Sequence, residues 1–209
     1  MPPPLFETLV VVGDDALLLA EIVALTAKRS AYLPLLNGPR LQRPDRDHEV
    51  IRRSNAIAKV QAPSGIFAGL PEATCNMFSP FPRGTVVRRI HNADEVIAAG
   101  IANRRIAGEP LYWSRTHIGV GVLQALRSHR RISFGDTQPP GTNIDMESSH
   151  IVVCEDGDAH SQVIAAAYAL SIDAGLCVIP ECPRDEADDL LEALYGLSEQ
   201  PAPAAALKS

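Results

Sequence analysis

Apolar positions along the chain fall into two alternating rhythms. Thr8 to Val12 (Thr-Leu-Val-Val-Val) is an unbroken, β-branched run, the pattern of a strand buried on both faces. It stops at Gly13-Asp14-Asp15 and gives way to Ala16 through Leu25, which predicts a helix with Asp14 or Asp15 as its N-cap. The same rhythm returns downstream. Strands are predicted over 65–69, 85–90, 110–114 and 132–134, with helices over 47–60, 93–107 and 119–129. The final third predicts a strand over 150–154, a helix over 159–173 capped by Gly175, a strand over 176–180 and a helix over 185–194. Residues 33–48 and 135–149, rich in Pro, Asp and Gly, predict loops. This alternation implies an α/β fold, a three-layer Rossmann-like sandwich with a mostly parallel sheet. The strands over 8–12 and 150–154 are expected in its interior. A single domain is expected over 5–197, with the Pro/Ala-rich 198–209 as a flexible tail or linker.

Composition narrows the class. At 209 residues, 46% hydrophobic and 21% charged, the chain is long enough for one sizeable core. No apolar run reaches the ~18 residues of a membrane span, and Met1-Pro2-Pro3-Pro4-Leu5-Phe6-Glu7 has no basic flank or apolar stretch of a secretory leader. Cys75, Cys154, Cys177 and Cys182 form no Cys-x-x-Cys, so reduced thiols in a cytoplasmic setting are expected rather than a disulfide framework or a zinc site. The net charge of −6 conceals a split: residues 1–131 carry 17 Lys and Arg against 11 Asp and Glu, and residues 132–209 carry 2 against 14. That balance argues against general nucleic-acid binding and leaves room for a protein partner facing the acidic part.

In parallel sheets, chemistry gathers at the carboxyl ends of the strands. Four predicted turns lie there: Gly13-Asp14-Asp15, Ser114 to His117, Cys154-Glu155-Asp156-Gly157-Asp158, and Pro180-Glu181-Cys182. None is a glycine-rich phosphate loop or a nucleophile elbow. Cys154 ends a predicted strand just before a helix, where a helix N-terminus would favour the thiolate. His117 ends an earlier predicted strand, and neighbouring strands would bring the two to one sheet edge as a Cys–His pair. Trp113 and Tyr112 are expected in the core. Cys75, Cys177 and Cys182 are expected to pack, and His91, His129 and His150 to lie at the surface.

The run Ile151-Val152-Val153-Cys154-Glu155-Asp156-Gly157, the Ala-rich Val163 to Leu170, Asp173-Ala174-Gly175-Leu176-Cys177-Val178-Ile179 and Leu190-Leu191-Glu192-Ala193-Leu194-Tyr195 resemble the end of a CHAT domain, of the caspase-like cysteine peptidase clan. The likeness covers about a quarter of the chain. It implies a caspase-like sheet, Cys154 as nucleophile, His117 as general base, and a polypeptide substrate; Glu155, Asp156 and Asp158, turned away from the thiol, are then expected to hold a basic substrate residue. Val152-Val153 replaces the family's usual Ser-Ala, its later tryptophan is missing, and His117-Ile118-Gly119 is one residue longer than its His-Gly. The resemblance therefore admits a catalytically degenerate domain in a multi-component cytosolic system as well as an active cysteine endopeptidase.

Two other readings stand beside it. Asp156-x-Asp158 resembles the Mg²⁺-binding carboxylates of TOPRIM domains, but an acidic turn capping a helix explains it without a metal, and no metal or cofactor is expected. The arginines after the first strand, Arg40, Arg43, Arg52 and Arg53, supply a possible anion pocket. On that alternative the chain is a non-catalytic Rossmann-like module sensing an anionic nucleotide.

Overall fold

The computed structural model describes residues 8–26, 32–35, 51, 55, 62–77, 81, 84–136, 141–146 and 148–181. β1 (Thr8–Val12) is buried along its whole length. It lies between β2 (Tyr32–Leu35) and β3 (Ser64–Ala68), with β4 (Val86–Ile90) beyond β3, all parallel, in the order β2-β1-β3-β4. Burial on both faces explains the unbroken apolar run of β1. Val10 and Val12 join the core on one face, and Leu9 and Val11 join Phe67, Cys75 and Phe81 on the other. On that second face the Phe67 and Phe81 rings meet edge to face at 5.3 Å.

α1 (Ala16–Thr26) has Asp15 as its cap: the carboxylate accepts from the Leu17 and Leu18 N–H groups. Apolar residues surround nearly the full circumference of α1, as a helix packed on several sides requires. It shares one core with α4 (Ile118–Ser128) and α5 (Ala159–Ser171), and with buried residues of β3, β4, β5 (Leu111–Trp113), β6 (Ile132–Phe134) and β9 (Gly175–Ile179). β5-α4-β6 is one parallel unit. β8 (Ile151–Glu155), α5 and β9 form another, to which β7 (Ile144–Asp145) adds the antiparallel strand. The fold is α/β with small, mostly parallel sheets.

Several expectations need correction. β8 is not interior: among the described strands it pairs only with β9, and its residues alternate in exposure, Ile151, Val153 and Glu155 facing water. A continuous apolar run is therefore half-wet here, unlike in β1. Tyr112 is 58% exposed, whereas Trp113 is buried. The helix expected over 93–107 is α3 (Ala93–Ala98), because Gly100 takes a left-handed turn with φ +70°. The left-handed residue after α5 is Asp173, not Gly175. Gly175 is required for another reason, since a Cβ there would meet the Asp145 carbonyl oxygen. β2, the short α2 (Glu72–Met77) and β7 arise where no element was expected. Ile51 and Asn55 are helical. The rest of the helix expected over 47–60, and the helix expected over 185–194, lie outside the described residues.

A buried ion pair ties β7 to α4. Arg127, in the last turn of α4, reaches the Asp145 carboxylate of β7 at 2.5 Å and donates to the Ala174 carbonyl at 2.8 Å. Asp145 is 4% exposed at its side chain. Removing one partner leaves the other charge buried. Asp145→Ala should therefore lower the unfolding free energy by about 3 kcal/mol, read from urea denaturation, with the midpoint falling at an unchanged slope.

Candidate functional site

The carboxyl ends of β1 and β8 and the first turns of α1, α4 and α5 carry the polar side chains that the strand-end argument singled out. β8 runs through Glu155 into the turn Asp156-Gly157, and Asp158 caps α5: one oxygen accepts from the His160 N–H at 3.0 Å, the other from the Ser161 hydroxyl at 2.7 Å. The Ser161 hydrogen bond holds the Asp158 carboxyl below its ordinary value; burial opposes it, and the His160 N–H and imidazole add to the lowering.

Gln162, one turn into α5, is the organising residue. It is 2% exposed. Its amide NH₂ donates to the Asp156 carboxylate at 2.8 Å and to the Asp156 carbonyl at 3.2 Å. Its amide oxygen accepts from the Gly119 N–H at 3.1 Å. Gly119 lies in the first turn of α4, where helical N–H groups have no partner within the helix. Only glycine fits there, because a Cβ would stand 2.8 Å from the Gln162 carbonyl oxygen. The two helices touch backbone to backbone, and one buried amide completes the contact.

His117 does not end a strand. β5 stops at Trp113, and His117 is the N-cap of α4, in a left-handed conformation (φ 50°) with no side-chain cap bond. Its Nδ1 is buried without a hydrogen-bond partner, 3.8 Å from the Asp156 carboxylate. His160 makes a second imidazole–carboxylate group. Its Nδ1 is 3.5 Å from Asp158 and its buried Nε2 is 3.8 Å from Asp14, which joins the end of β1 to the start of α5. Of the sequence-predicted residues, the structure therefore brings His117 to Asp156 and Asp158 to Asp14 through His160. Glu155 stays exposed at the strand end.

Cys154 stands apart from this network. It is half-buried and packs against the main core. Burial first, then the Cys177 thiol and the Asp156 carboxylate, push its thiol up to about 11. No hydrogen bond joins Cys154 to His117 among the described residues. Ser114, the other nucleophile type nearby, is buried and bonded to Thr116 and to the Gly141 N–H. The Mg²⁺ reading of Asp156 and Asp158 meets committed carboxylates, one on Gln162 and one on the first turn of α5. Arg40, Arg43, Arg52, Arg53 and Cys182 lie outside the described residues. Cys75 and Cys177 are buried, as expected of packing residues.

His160 and Gln162 were not singled out from the sequence. Their signals are local: a histidine two residues after a capping aspartate, and a lone amide on the otherwise apolar face Gln162, Val163, Ala166, Ala169.

No protein-family model matches the chain, and comparison with curated proteins and with solved structures finds no similar protein.

Two outcomes follow. Gln162→Ala strands the Gly119 N–H and should cost about 2–3 kcal/mol in urea unfolding. The depressed Asp158 pKa contributes stability above the unfolded value near ~4 and loses it as pH falls through the folded value. Ser161→Ala should therefore raise the Asp158 pKa in a carboxyl-resolved NMR titration and reduce the stability lost on acidification.

Proposed function

We propose that this chain is a catalytically silent, Rossmann-like module that recognises an anionic nucleotide within a cytosolic, multi-component system. One observation carries the catalytic half of this reading: the Cys154 thiol packs against the core, pushed up to about 11, with no hydrogen bond from His117. A nucleophilic cysteine needs the opposite, a thiolate favoured by a cationic neighbour. The Asp156 carboxylate, which an active site would turn away, instead opposes the thiolate. The β8-α5-β9 unit is compatible with a CHAT-like ancestry of form, and a degenerate CHAT-like domain is the same reading stated as kinship.

The ligand half rests on the arginines Arg40, Arg43, Arg52 and Arg53 and on the basic balance of residues 1–131. No helix among the described residues is long and apolar enough to cross a membrane. The cytoplasmic setting rests on the cysteine usage.

Alkylation by iodoacetamide tests the thiol. Cys154 should react at neutral pH about a hundredfold more slowly than a free cysteine, its rate should still be rising above pH 10, and His117→Ala should leave the profile unchanged. A rate plateau near pH 7 that His117→Ala abolishes would restore the peptidase. Calorimetry against nucleoside mono-, di- and triphosphates at low salt tests the ligand. Binding should weaken with salt and with a combined Arg52→Ala, Arg53→Ala variant; no heat from any of them removes the nucleotide.

A further inference from the structure

A cavity of about 340 Å³ opens at the amino ends of β1, β3 and β4, the opposite end of that sheet from Asp14 and His160. Its volume suits a small organic ligand. The strand register explains its lining. Thr8, Ser64 and Val86 stand in one row and Ile66 and Arg88 in the next, all on one face. Further along the strands, the same face carries Val12, Ala68 and Ile90 into the main core. The cavity is therefore the uncovered start of a core face. α3 ends at Ala98, the chain turns at Gly100, and Ala99 and Ile101 supply the remaining wall.

Arg88 is the unusual residue of this lining. It follows the core pattern in register, opposite the buried Ile66, yet carries a charge. Its neighbour Arg89, on the other face, pairs with Glu72 at 3.0 Å and donates to Asn76. Arg88 makes no ion pair or hydrogen bond among the described residues. The Thr8 and Ser64 hydroxyls, bonded to each other at 2.5 Å, give the cavity its other polar spot. Among the described residues, the lining holds no carboxylate and no second cation, and its remaining side chains are apolar.

We propose that this cavity binds a small carboxylate on a compact apolar body, with Arg88 holding the carboxylate and Ile66 and Ile101 holding the body. A single guanidinium matches one negative charge and grips a carboxylate through two parallel hydrogen bonds. A phosphate dianion would call for a second cation, which the lining lacks among the described residues. This site is separate from the arginines after β1 and does not depend on the role of Cys154.

The test is an NMR titration of the full chain, reading amide and isoleucine methyl signals, with hexanoate as the probe. Hexanol and butyl phosphate are the comparison ligands. Hexanoate should saturate below about 20 mM, with the largest shifts at Ile66 and Ile101. Hexanol and butyl phosphate should bind at least about tenfold more weakly. Arg88→Gln should weaken hexanoate about tenfold, Arg89→Gln should not, and Ala99→Leu should block the cavity while leaving Arg88 in place. Equal binding of hexanol or tighter binding of butyl phosphate overturns the carboxylate. An unchanged Arg88→Gln variant, shifts away from Ile66 and Ile101, or no saturation overturns the site.

Discussion

The buried amide of Gln162 fixes the region at the carboxyl end of β8. It joins three things that would otherwise be independent: the first turn of α5, the turn after β8 through Asp156, and the unpaired N–H of Gly119 at the start of α4. The Gly119 N–H is buried and would be costly without a partner, as would the buried Gln162 amide. Gln162 can serve all three because Gly119 has no side chain, so that the helices approach to backbone contact. The position of Asp156 follows, and with it the environment of His117. The second tie, from Asp14 through His160 to Asp158, brings the end of β1 to the same place.

This arrangement decides what the strand-end residues can do. Cys154 lies near the end of β8 and His117 caps α4, and Asp156 bears on both. Its carboxylate lies nearest the imidazole and is held by Gln162, and its charge opposes ionisation of the thiol. A cysteine with a strong base and a helix N-terminus would lose its proton near neutrality. One that packs against the core, beside a carboxylate and a second thiol, keeps it. The same side chains therefore read as a structural network, while the sheet leaves Arg88 at its other end facing a cavity with no charged partner among the described residues.

What the sequence made legible follows from periodicity. The unbroken run Thr8–Val12 predicted an interior strand and became one, flanked by β2 and β3. An equally apolar run in β8 is half-wet and pairs only with β9 among the described strands, because an apolar run does not say whether a second partner strand arrives. Boundaries failed where a single backbone conformation overrode propensity: Gly100 ended α3 early, and the left-handed His117 began α4 outside any strand. The Arg127–Asp145 pair and the Gln162 bridge were invisible for a different reason. Each joins residues distant in sequence, 18 positions apart for the pair and 43 from Gln162 to Gly119, and no local pattern marks a polar side chain that packing will bury. Capping chemistry, by contrast, is local, and Asp15 was legible as one of two candidates.

The claim on which this account turns is that Gln162 holds the first turn of α4 from within the core. Hydrogen exchange of the Gly119 amide measures it most directly, since that N–H has no partner within α4 and Gln162 is its acceptor. In the native chain it should exchange at least about a hundredfold more slowly than an unstructured amide. In Gln162→Leu, which keeps the bulk and removes the acceptor, protection should fall to that of a free helix end while amides in the middle of α4 stay slow. A Gly119 amide equally protected in both proteins would contradict the account.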